Sequence, residues 1–526
     1  MKTFTFLSVL ICFYLPTHAQ ITFTEAIGGP STDQALSAEQ TIDGGYIAVG
    51  WTKSYGAGDW DIYLVKTNAN GTIEWTKTYG GPGEEVDCFV HQCTDSGYII
   101  TARTNSFGVS AADVYLIKTD IDGVMQWTTS VGGPAWDEGH SVIQNSDGSL
   151  VHTGFTNSYG AGSSDIYLIK TDILGHTLWN KAFGGTNVDH GHLVAPALDG
   201  GYLIVGETMS YGAGNYDFLL TKTDTAGNIL WTHTYGGSGD DSGWGICATA
   251  DSGYILTGLT DSYGEGGKDV LLIKVDRYGN LIWSKTYGNA GDDEGFFIQK
   301  TNDDGYVITG ESMQTNSDSA DVLLFKIDAN GTPLWTAAFG GAGDDGCQTV
   351  QTTRDHGFFL AGYTNSFGAG DWDFYLIKTD SMGRVNGCNL ADPVVTMNTV
   401  TLLSSMPTMQ TTTGGITVNQ QSQQSFGGSA VLCTVTGLPS QIKENTISLF
   451  PNPFNETATI TIPDFSSDKI LTLFLYQTNG KKLFEQKINS NSMKMNFENL
   501  EPGIYFYTIL NNNTKVFSGK FIKLKD

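Results

Sequence analysis

The sequence predicts an all-β protein: a seven-bladed β-propeller with four-stranded blades, followed by a small C-terminal β-sandwich. The first observation is a 52-residue repeat, marked by Trp75, Trp127, Trp179, Trp231, Trp283 and Trp335, with Phe23 one period earlier. The second is composition: of 526 residues 66 are Gly, 12% are aromatic and only 16% are charged, which favours short strands and tight turns. A period of this length predicts a propeller or solenoid, since one repeat cannot bury its own faces.

Each repeat contains four strand-like segments. In one repeat these are 140–144, 150–155, 165–171 and 177–183, separated by Gly-containing or Asp-containing turns. Four antiparallel strands joined by short turns form one propeller blade. Three further positions recur with the same period: Asp61, Asp113, Asp165, Asp217, Asp269, Asp321 and Asp373; Lys66, Lys118, Lys170, Lys222, Lys274, Lys326 and Lys378; Gly71, Gly123, Gly175, Gly227, Gly279, Gly331 and Gly383.

The two ends of the repeat region predict how the ring closes. The seventh repeat lacks its Trp strand after Gly383, whereas residues 21–27 supply one isolated equivalent near the N-terminus. We expect this N-terminal segment to become the fourth strand of the last blade, because an incomplete blade would expose a strand edge.

Four regions follow from these patterns. Residues 1–19 have Lys2, an apolar run from Phe4 to Leu15 and a cleavage site after Ala19, as in a secretory signal peptide. Residues 20–388 form the propeller, residues 389–444 a Thr/Ser/Gln-rich linker, and residues 445–526 a separate module. The linker is interpreted as extended, with Cys388 and Cys433 as a candidate disulfide, although its composition also permits disorder.

Charge excludes two classes of partner. The formal net charge is −27; residues 441–526 contain 10 Lys and 8 acidic residues and carry +2, which leaves −29 on the remainder. Such a body repels nucleic acid and anionic lipid. Beyond the signal peptide, no apolar run reaches the ~18 residues of a transmembrane helix.

Two resemblances refine the assignment. The DxxGxxxW pattern, as at Asp120 to Trp127, resembles the tryptophan-docking repeat of quinoprotein-type propellers, in which the Trp packs between blades. The C-terminal module resembles the sorting domain of the type IX secretion system, through PNPF at 451–454, the Asn479-Gly480-Lys481 turn, LEPGIYFY at 500–507 and a basic last strand. This resemblance implies periplasmic transit, recognition by that machinery, and passage across the outer membrane of a Gram-negative cell, followed by release or surface attachment.

Two sets of recurring acidic residues have competing interpretations. Asp43, Asp95, Asp147, Asp199, Asp251, Asp303 and Asp355 precede Gly-containing turns; they could form calcium loops, but turn capping is favoured because every repeat has one. Asp33, Glu85, Asp137, Asp189, Asp241, Asp293 and Asp345 begin the first strands. They could jointly line one mouth of the channel, but local capping of backbone N–H groups is again favoured.

A specific site is expected where the repeats disagree. At the start of the first strands we predict ligand contacts from Trp136, His140, His192 and Trp244. His140, His190 and His192 could hold zinc or copper, but burial as packing residues is favoured, so no cofactor is predicted. Trp60, Tyr216 and Trp372 also vary, and would be sugar platforms if exposed or edge covers if buried.

These observations favour a non-catalytic binding protein, secreted or on the outer cell surface, with a glycan or protein ligand at one propeller face. Two alternatives remain, a secreted enzyme acting on polysaccharide and a structural surface component. Clustered carboxyl groups with strongly shifted pKa values in the channel would favour the enzyme.

Overall fold

A computed structural model describes residues 20–385 except 110 and 314–318, and, beyond these, 396–407, 409–412, 416–420, 430–435, 448–450, 457–461, 471–477, 482–488, 490, 492–496, 500, 503–511 and 514–523. These residues form strands, and among them there is no helix long and apolar enough to span a membrane. The chain divides into two compact units, Met1–Leu438 and Pro439–Asp526. The predicted signal peptide and Cys388 lie outside the described residues.

The first unit contains the seven predicted four-stranded blades. The chain begins with β1 (Thr22–Ile27) and then forms blade 1 from β2 (Asp33–Gln40), β3 (Tyr46–Thr52), β4 (Asp61–Thr67) and β5 (Ile73–Tyr79). Blade 2 contains β6 (Glu85–Gln92), β7 (Tyr98–Thr104), β8 (Asp113–Thr119) and β9 (Met125–Gly132). Blade 3 contains β10 (Asp137–Gln144), β11 (Leu150–Thr156), β12 (Asp165–Thr171) and β13 (Thr177–Gly184).

The remaining blades repeat this order. Blade 4 contains β14 (Asp189–Pro196), β15 (Tyr202–Thr208), β16 (Asp217–Thr223) and β17 (Ile229–Gly236). Blade 5 contains β18 (Asp241–Ala248), β19 (Tyr254–Thr260), β20 (Asp269–Val275) and β21 (Leu281–Gly288). Blade 6 contains β22 (Asp293–Lys300), β23 (Tyr306–Met313), β24 (Ala320–Ile327) and β25 (Pro333–Phe339). Blade 7 contains β26 (Asp345–Thr352), β27 (Phe358–Thr364) and β28 (Asp373–Thr379).

The N-terminal strand closes the ring, as predicted. Strand β1 pairs antiparallel with β28, from Phe23 opposite Lys378 to Ile27 opposite Phe374, and so completes blade 7. The first strand of each blade contacts the first strands of its neighbours, and β2 contacts β26, so these strands surround the central channel. No edge is left at the seam between the first and last blades.

The recurring Trp and Gly residues pack against each other across blade boundaries. A Cβ atom on Gly123, which has φ of +69°, would lie 2.7 Å from the Trp75 ring of the preceding blade. Gly175 stands in the same relation to Trp127, and Gly71 to Phe23. The inter-blade Trp position implied by the family resemblance is therefore present, and the recurring Gly leaves room for the aromatic ring.

The recurring Lys and turn Asp residues form ion pairs within each blade, in which the Lys side chain is largely buried and the Asp side chain is partly exposed. Lys66 Nζ lies 3.0 Å from Asp43 Oδ2, and Lys118 Nζ lies 2.8 Å from Asp95 Oδ2. Asp43 Oδ1 also accepts hydrogen bonds from the Gly45 N–H and the Thr41 hydroxyl. Turn capping thus describes these Asp residues, and the Lys partner is an additional role that spacing alone did not reveal.

The segment after the seventh repeat adds outer strands to five blades. β29 (Thr396–Val400) pairs with blade 5, β30 (Leu403–Ser405) with blade 4, β31 (Gln410–Thr412) with blade 3, β32 (Ile416–Gln420) with blade 2 and β33 (Ala430–Val435) with β1 in blade 7. We call these five strands the outer belt. Leu402 and Met409 are buried between its strands and the blades.

The second unit contains two antiparallel sheets. One is formed by β34 (Ser448–Phe450), β35 (Thr457–Thr461) and β38 (Ser492–Asn496). The other has the order β37 (Lys482–Ile488), β36 (Leu471–Gln477), β39 (Gly503–Asn511) and β40 (Thr514–Lys523). The β-character predicted for this module is present, and the packing of the two sheets as a sandwich remains a prediction.

Candidate functional site

A β-bulge in the first strand of each blade turns one side chain into the channel. In blade 3 the register between β10 and β11 shifts between Gly139 and Ser141, which leaves His140 without a partner residue in the ladder. Bulges redirect side chains in this way and are common beside functional sites. The equivalent residues of the seven blades are Leu36, Cys88, His140, His192, Trp244, Phe296 and Gln348.

All seven bulged residues line one cavity of about 1010 Å³. The walls also include Trp136, His190 and Phe155, so the structure brings together the four residues predicted as ligand contacts. Trp136 is positioned by a bridge to Ala112 of the preceding blade and is 36% exposed. The cavity volume lies at the upper end of the range for small-molecule sites. The proximity of the four predicted contact residues, Trp136, His140, His192 and Trp244, agrees with the predicted site, while their role in binding remains a prediction.

Four bulged residues form a continuous row of stacked rings. The rings of His140 and His192 are parallel with centroids 5.3 Å apart, and the Trp244 ring stacks on His192 at 4.0 Å. Phe296 then meets Trp244 edge-on at 5.8 Å. Burial lowers the pKa of His192, whose hydrogen bond with Glu207 only partly opposes this effect. The row therefore presents flat rings to the cavity. The hydrogen bond and the charge of Glu138 raise the pKa of His140 despite its burial, so His140 carries positive charge more readily than His192.

The three imidazoles do not converge on a common point. His140 Nδ1 lies 3.2 Å from the Gly191 carbonyl oxygen, and His140 Nε2 lies 3.2 Å from Glu138 Oε1. His190 contacts Ser164 Oγ at 3.1 Å and Glu207 at 3.3 Å. Throughout the described residues there is no group of three His, Cys, Asp or Glu residues placed to hold a metal ion. His140 and His190 thus use both ring nitrogens in contacts within the protein, and the absence of a metal at these residues stays a prediction.

Charged residues from blades 2 and 3 form a cluster beside Trp136. The Arg103 guanidinium lies 4.6 Å from the Trp136 ring centroid, 3.4 Å from Asp87 and 3.7 Å from Glu138. Glu138 also accepts a 2.8 Å hydrogen bond from Trp136 Nε1. Burial and the neighbouring Glu138 raise the pKa of Asp87, whereas hydrogen bonds from His140 and Trp136 lower the pKa of Glu138 despite its burial.

Asp87 occupies an irregular backbone position. Its φ is +57°, in the left-handed region that non-Gly residues rarely adopt. In blade 2 the register shifts between Val86 and Phe89, so two residues are bulged where other blades have one. Strained positions of this kind concentrate at functional sites. Sequence reasoning missed Asp87 because the residues at its register, such as Ala35 and Gly139, are small.

Three carboxylates outside the cavity lining have partners on neighbouring blades. Glu207 contacts His190 and accepts a 2.6 Å hydrogen bond from Ser242, and these contacts hold its pKa low despite burial. Lys268 Nζ lies 2.7 Å from Glu294. Burial raises the pKa of Glu311 to about 7, and Glu311 accepts a hydrogen bond from the Tyr363 hydroxyl.

Three charged residues that sequence analysis did not single out, Arg103, Glu207 and Glu311, share one sequence register. The second strands carry Trp51, Arg103, Phe155, Glu207, Leu259, Glu311 and Tyr363 at equivalent positions. This register differs among repeats as much as the register of His140 does. The same criterion, applied to the second strand, would have identified Arg103 and Glu207.

The recurring acidic residues at the strand starts cap loops, as favoured. Asp33 is fully buried, and its Oδ2 accepts hydrogen bonds from the Gly29 N–H and the Ser54 hydroxyl, each at 2.7 Å. Asp189 does the same with Gly185 and Ser210. These carboxylates do not supply the acidity of the cavity, which comes instead from Asp87 and Glu138.

The variable aromatics of the third-strand entrance divide between two roles. Trp372 lines the cavity and meets Tyr363 edge-on, with centroids 5.1 Å apart. Trp60 is half-buried, packs edge-on against Trp51 at 4.4 Å and lies under Lys53. Trp372 is therefore available as a platform, while Trp60 covers part of its own blade.

Comparison with known proteins identifies the C-terminal region. Residues 448–524 match the family described as the secretion system C-terminal sorting domain. This region is a type IX secretion sorting domain. A protein carrying a sorting domain of this kind is exported to the cell surface or secreted.

The chain has more distant likenesses to other proteins. Over 238 residues it is 25% identical to the regulatory protein FlaEY of Caulobacter vibrioides, a match covering 40% of this chain and 24% of that protein. The chain thus spans about a quarter of that relative's length. Among solved structures it resembles PorZ, a surface component of the type IX secretion system of Porphyromonas gingivalis, with 10% identity, TM-score 0.38, and 95% and 60% of the two chains covered.

A third likeness is to the extracellular domain of a putative hybrid two-component system of B. thetaiotaomicron. The identity is 11% and the TM-score 0.41, with 93% of this chain and 56% of that chain covered. None of these likenesses identifies a ligand or an activity for the present chain.

Proposed function

We propose that the protein is an exported binding protein that holds a hydroxyl-rich, uncharged glycan in the cavity lined by the bulged residues. The observation that carries this proposal is the ring of seven bulges, which places the His140, His192 and Trp244 rings beside carboxylate acceptors. Flat aromatic faces pack against the apolar faces of sugar rings, and carboxylates accept hydrogen bonds from hydroxyl groups.

Charge compensation in the wall favours an uncharged ligand. Glu138 has Arg103 and His140 beside it, and the lining residue His190 has Glu207 beside it. A free cation would compete with these internal partners, and an anion would meet the carboxylates. A ligand rich in hydroxyl groups can instead share both donors and acceptors without leaving a buried charge unpaired.

A glycan array tests this proposal. Labelled mature chain (residues 20–526) should bind a subset of neutral oligosaccharides in preference to charged glycans or peptides. The variant Trp136→Ala/Trp244→Ala should lose that signal, while Tyr278→Ala, which removes an exposed aromatic side chain outside the cavity, should retain it. Binding only to peptides, or equal binding by the double variant, would reject the glycan site.

A second candidate function is cleavage of a bound polysaccharide. The opposite pKa shifts of Asp87 and Glu138 favour it, because neighbouring carboxyl groups with separated pKa values can serve as proton donor and acceptor. Reducing-end release from the glycans that bind, abolished in Asp87→Asn while binding persists, would support this function. Binding without product release by the wild type would support the non-catalytic one.

A further inference from the structure

Two carboxyl groups lie close together at every blade boundary, and they are buried at every boundary except that of Asp321, which is partly exposed. At the first boundary, Asp61 of blade 1 and Glu85 of blade 2 are 1% and 0% exposed. A Cβ on Gly80 would lie 2.0 Å from Asp61 Oδ1 and 2.4 Å from Glu85 Oε2, so both oxygens flank the same glycine. The other pairs follow the 52-residue period: Asp113 and Asp137, Asp165 and Asp189, Asp217 and Asp241, Asp269 and Asp293, Asp321 and Asp345, Asp373 and Asp33.

In the pairs of Asp61 and Asp165, the hydrogen bonds leave one oxygen of the third-strand Asp without a partner on the side of the other carboxyl group. Asp61 Oδ2 accepts from the Ala57 and Gly58 N–H groups at 2.9 and 3.0 Å, while its Oδ1 is buried without a partner. Glu85 accepts from Gly81 N–H and the Thr104 hydroxyl. Asp165 repeats the arrangement, with Oδ2 bonded to Ala161 and Gly162 and Oδ1 unpartnered.

No cationic side chain compensates these two pairs. Among the described residues, neither Asp61, Glu85 nor Asp165 forms an ion pair with Lys or Arg. Two ionised carboxylates buried side by side repel each other, and neither is hydrated. One free oxygen facing one carboxylate suits an O–H donor, since a calcium ion requires six or more oxygens.

We propose that each pair shares one proton, with the third-strand Asp protonated and donating its O–H to the carboxylate of the next blade. The seven shared protons then join neighbouring blades in the manner of hydrogen bonds and are lost as the pH rises. Burial, with the neighbouring carboxylate adding to it, raises the pKa of Asp61 to about 6, and the same causes act on Asp165.

Other titratable groups face the pairs and belong to the same equilibrium. The phenols near them are those of Tyr63, Tyr159, Tyr167, Tyr211, Tyr263 and Tyr375. Glu265 and Asp292 lie near the Asp269 and Asp293 pair, and Asp261 lies near Asp241, so they add repulsion. His190 lies beside Asp189 and attracts it.

The direction of the pH effect follows from the raised pKa. Between the ordinary Asp value near 3.8 and about 6, the folded protein binds more protons than the unfolded chain. The stability contributed by the pairs is therefore fully present below the ordinary Asp value near 3.8 and is lost progressively as the pH rises through about 6. This pH dependence is opposite to that of buried carboxylates with cationic partners, whose contribution to stability is lost as the pH falls.

Thermal unfolding of the full mature chain between pH 5 and pH 8 tests the proposal. The double variant Asp61→Asn/Asp165→Asn mimics two protonated acids, because the Asn amide can donate where the O–H donates. Its unfolding midpoint should exceed that of the wild type most at pH 8 and by less at pH 5. Between these pH values the variant should lose about two sevenths less stability than the wild type if the pairs act independently. The control Asp122→Asn, in an exposed turn, should behave as the wild type.

Two results would overturn the proposal. One is an equal pH response in the wild type and the Asn double variant. The other is a rise in the wild-type midpoint at pH 8 on adding calcium that a chelator reverses, which would assign a cation to the pairs. The variant Asp61→Ala, which also loses both loop hydrogen bonds, should be less stable at every pH, so a folding defect is distinguishable from loss of the proton.

Discussion

Removal of the Phe23 ring tests the closure of the propeller. Phe23 is fully buried in β1 and contacts Tyr46 of blade 1 and Phe359 of blade 7, with ring centroids 6.0 and 6.3 Å away. It also fills the space beside Gly71 that the recurring Trp fills at other boundaries. Because Phe23 holds both ends of the ring together, Phe23→Ala should destabilise the propeller although it lies only three residues after Gln20, where the described residues begin.

The expected loss is about 3–5 kcal/mol, the usual cost of truncating a buried Phe. The entropy of unfolding scales with chain length, so the unfolding midpoint of a unit of this size should fall by roughly 1 °C for each kcal/mol of destabilisation. For Phe23→Ala the midpoint should fall by about 5 °C. Deleting residues 21–27 should have a larger effect, because β1 pairs with both β28 and β33. Calorimetry measures the unfolding midpoints of Phe23→Ala and of the 21–27 deletion variant, with Tyr278→Ala as the control. A midpoint within 1 °C of the wild type for Phe23→Ala, or a stable deletion variant, would refute closure by β1.

Three further predictions follow from buried or terminal features. His152 is fully buried with neither ring nitrogen bonded, and burial lowers its pKa to about 3. His152→Leu should therefore raise the free energy of unfolding by about 1–3 kcal/mol at pH 7, and it should remove the loss of stability that the wild type suffers as the pH falls from about 6.5 toward 3. Equal unfolding free energies of the wild type and the variant in denaturant titrations, at pH 7 and at a lower pH, would contradict this. A chain ending at residue 395 should melt several degrees below one ending at residue 438, because it lacks Leu402, Met409 and the outer belt; coincident calorimetric transitions would argue against a stabilising belt. Removal of residues 445–526 should leave the propeller in the periplasm, which cell fractionation would detect, whereas normal surface or medium levels would contradict the sorting role.

Much of the fold could be predicted because the repeat carries its own packing rules. The Trp and Gly registers correspond to one inter-blade contact, exemplified by Trp75 and Gly123, and both residues are visible in the sequence. The closing strand was visible because Phe23 keeps the 52-residue register.

The outer belt could not be predicted in the same way. Its strands pair with the blades through backbone hydrogen bonds, which require no particular side-chain pattern. Residues 396–435 consequently show no 52-residue register, although the described parts add strands to successive blades in reverse order around the ring.

The candidate site was predictable in position but not in chemistry. The variable register at His140, His192 and Trp244 marked the channel entrance, because residues that differ among otherwise similar repeats do not serve the common fold. The bulges that aim these residues inward, and the left-handed Asp87, depend on local backbone geometry that spacing does not reveal. The contact between Arg103 and Trp136 joins two blades and is equally absent from any local pattern.

The affinity of the cavity for a neutral glycan tests the central claim most directly. Isothermal titration of the best glycan from the array should give one site per chain with the wild type. Trp136→Ala/Trp244→Ala should weaken binding by ~2 kcal/mol or more, about 30-fold in Kd, with the native unfolding midpoint preserved within the effect of Tyr278→Ala. Unchanged affinity in a natively folded double variant would place the ligand elsewhere on the propeller and leave the stacked rings as packing residues.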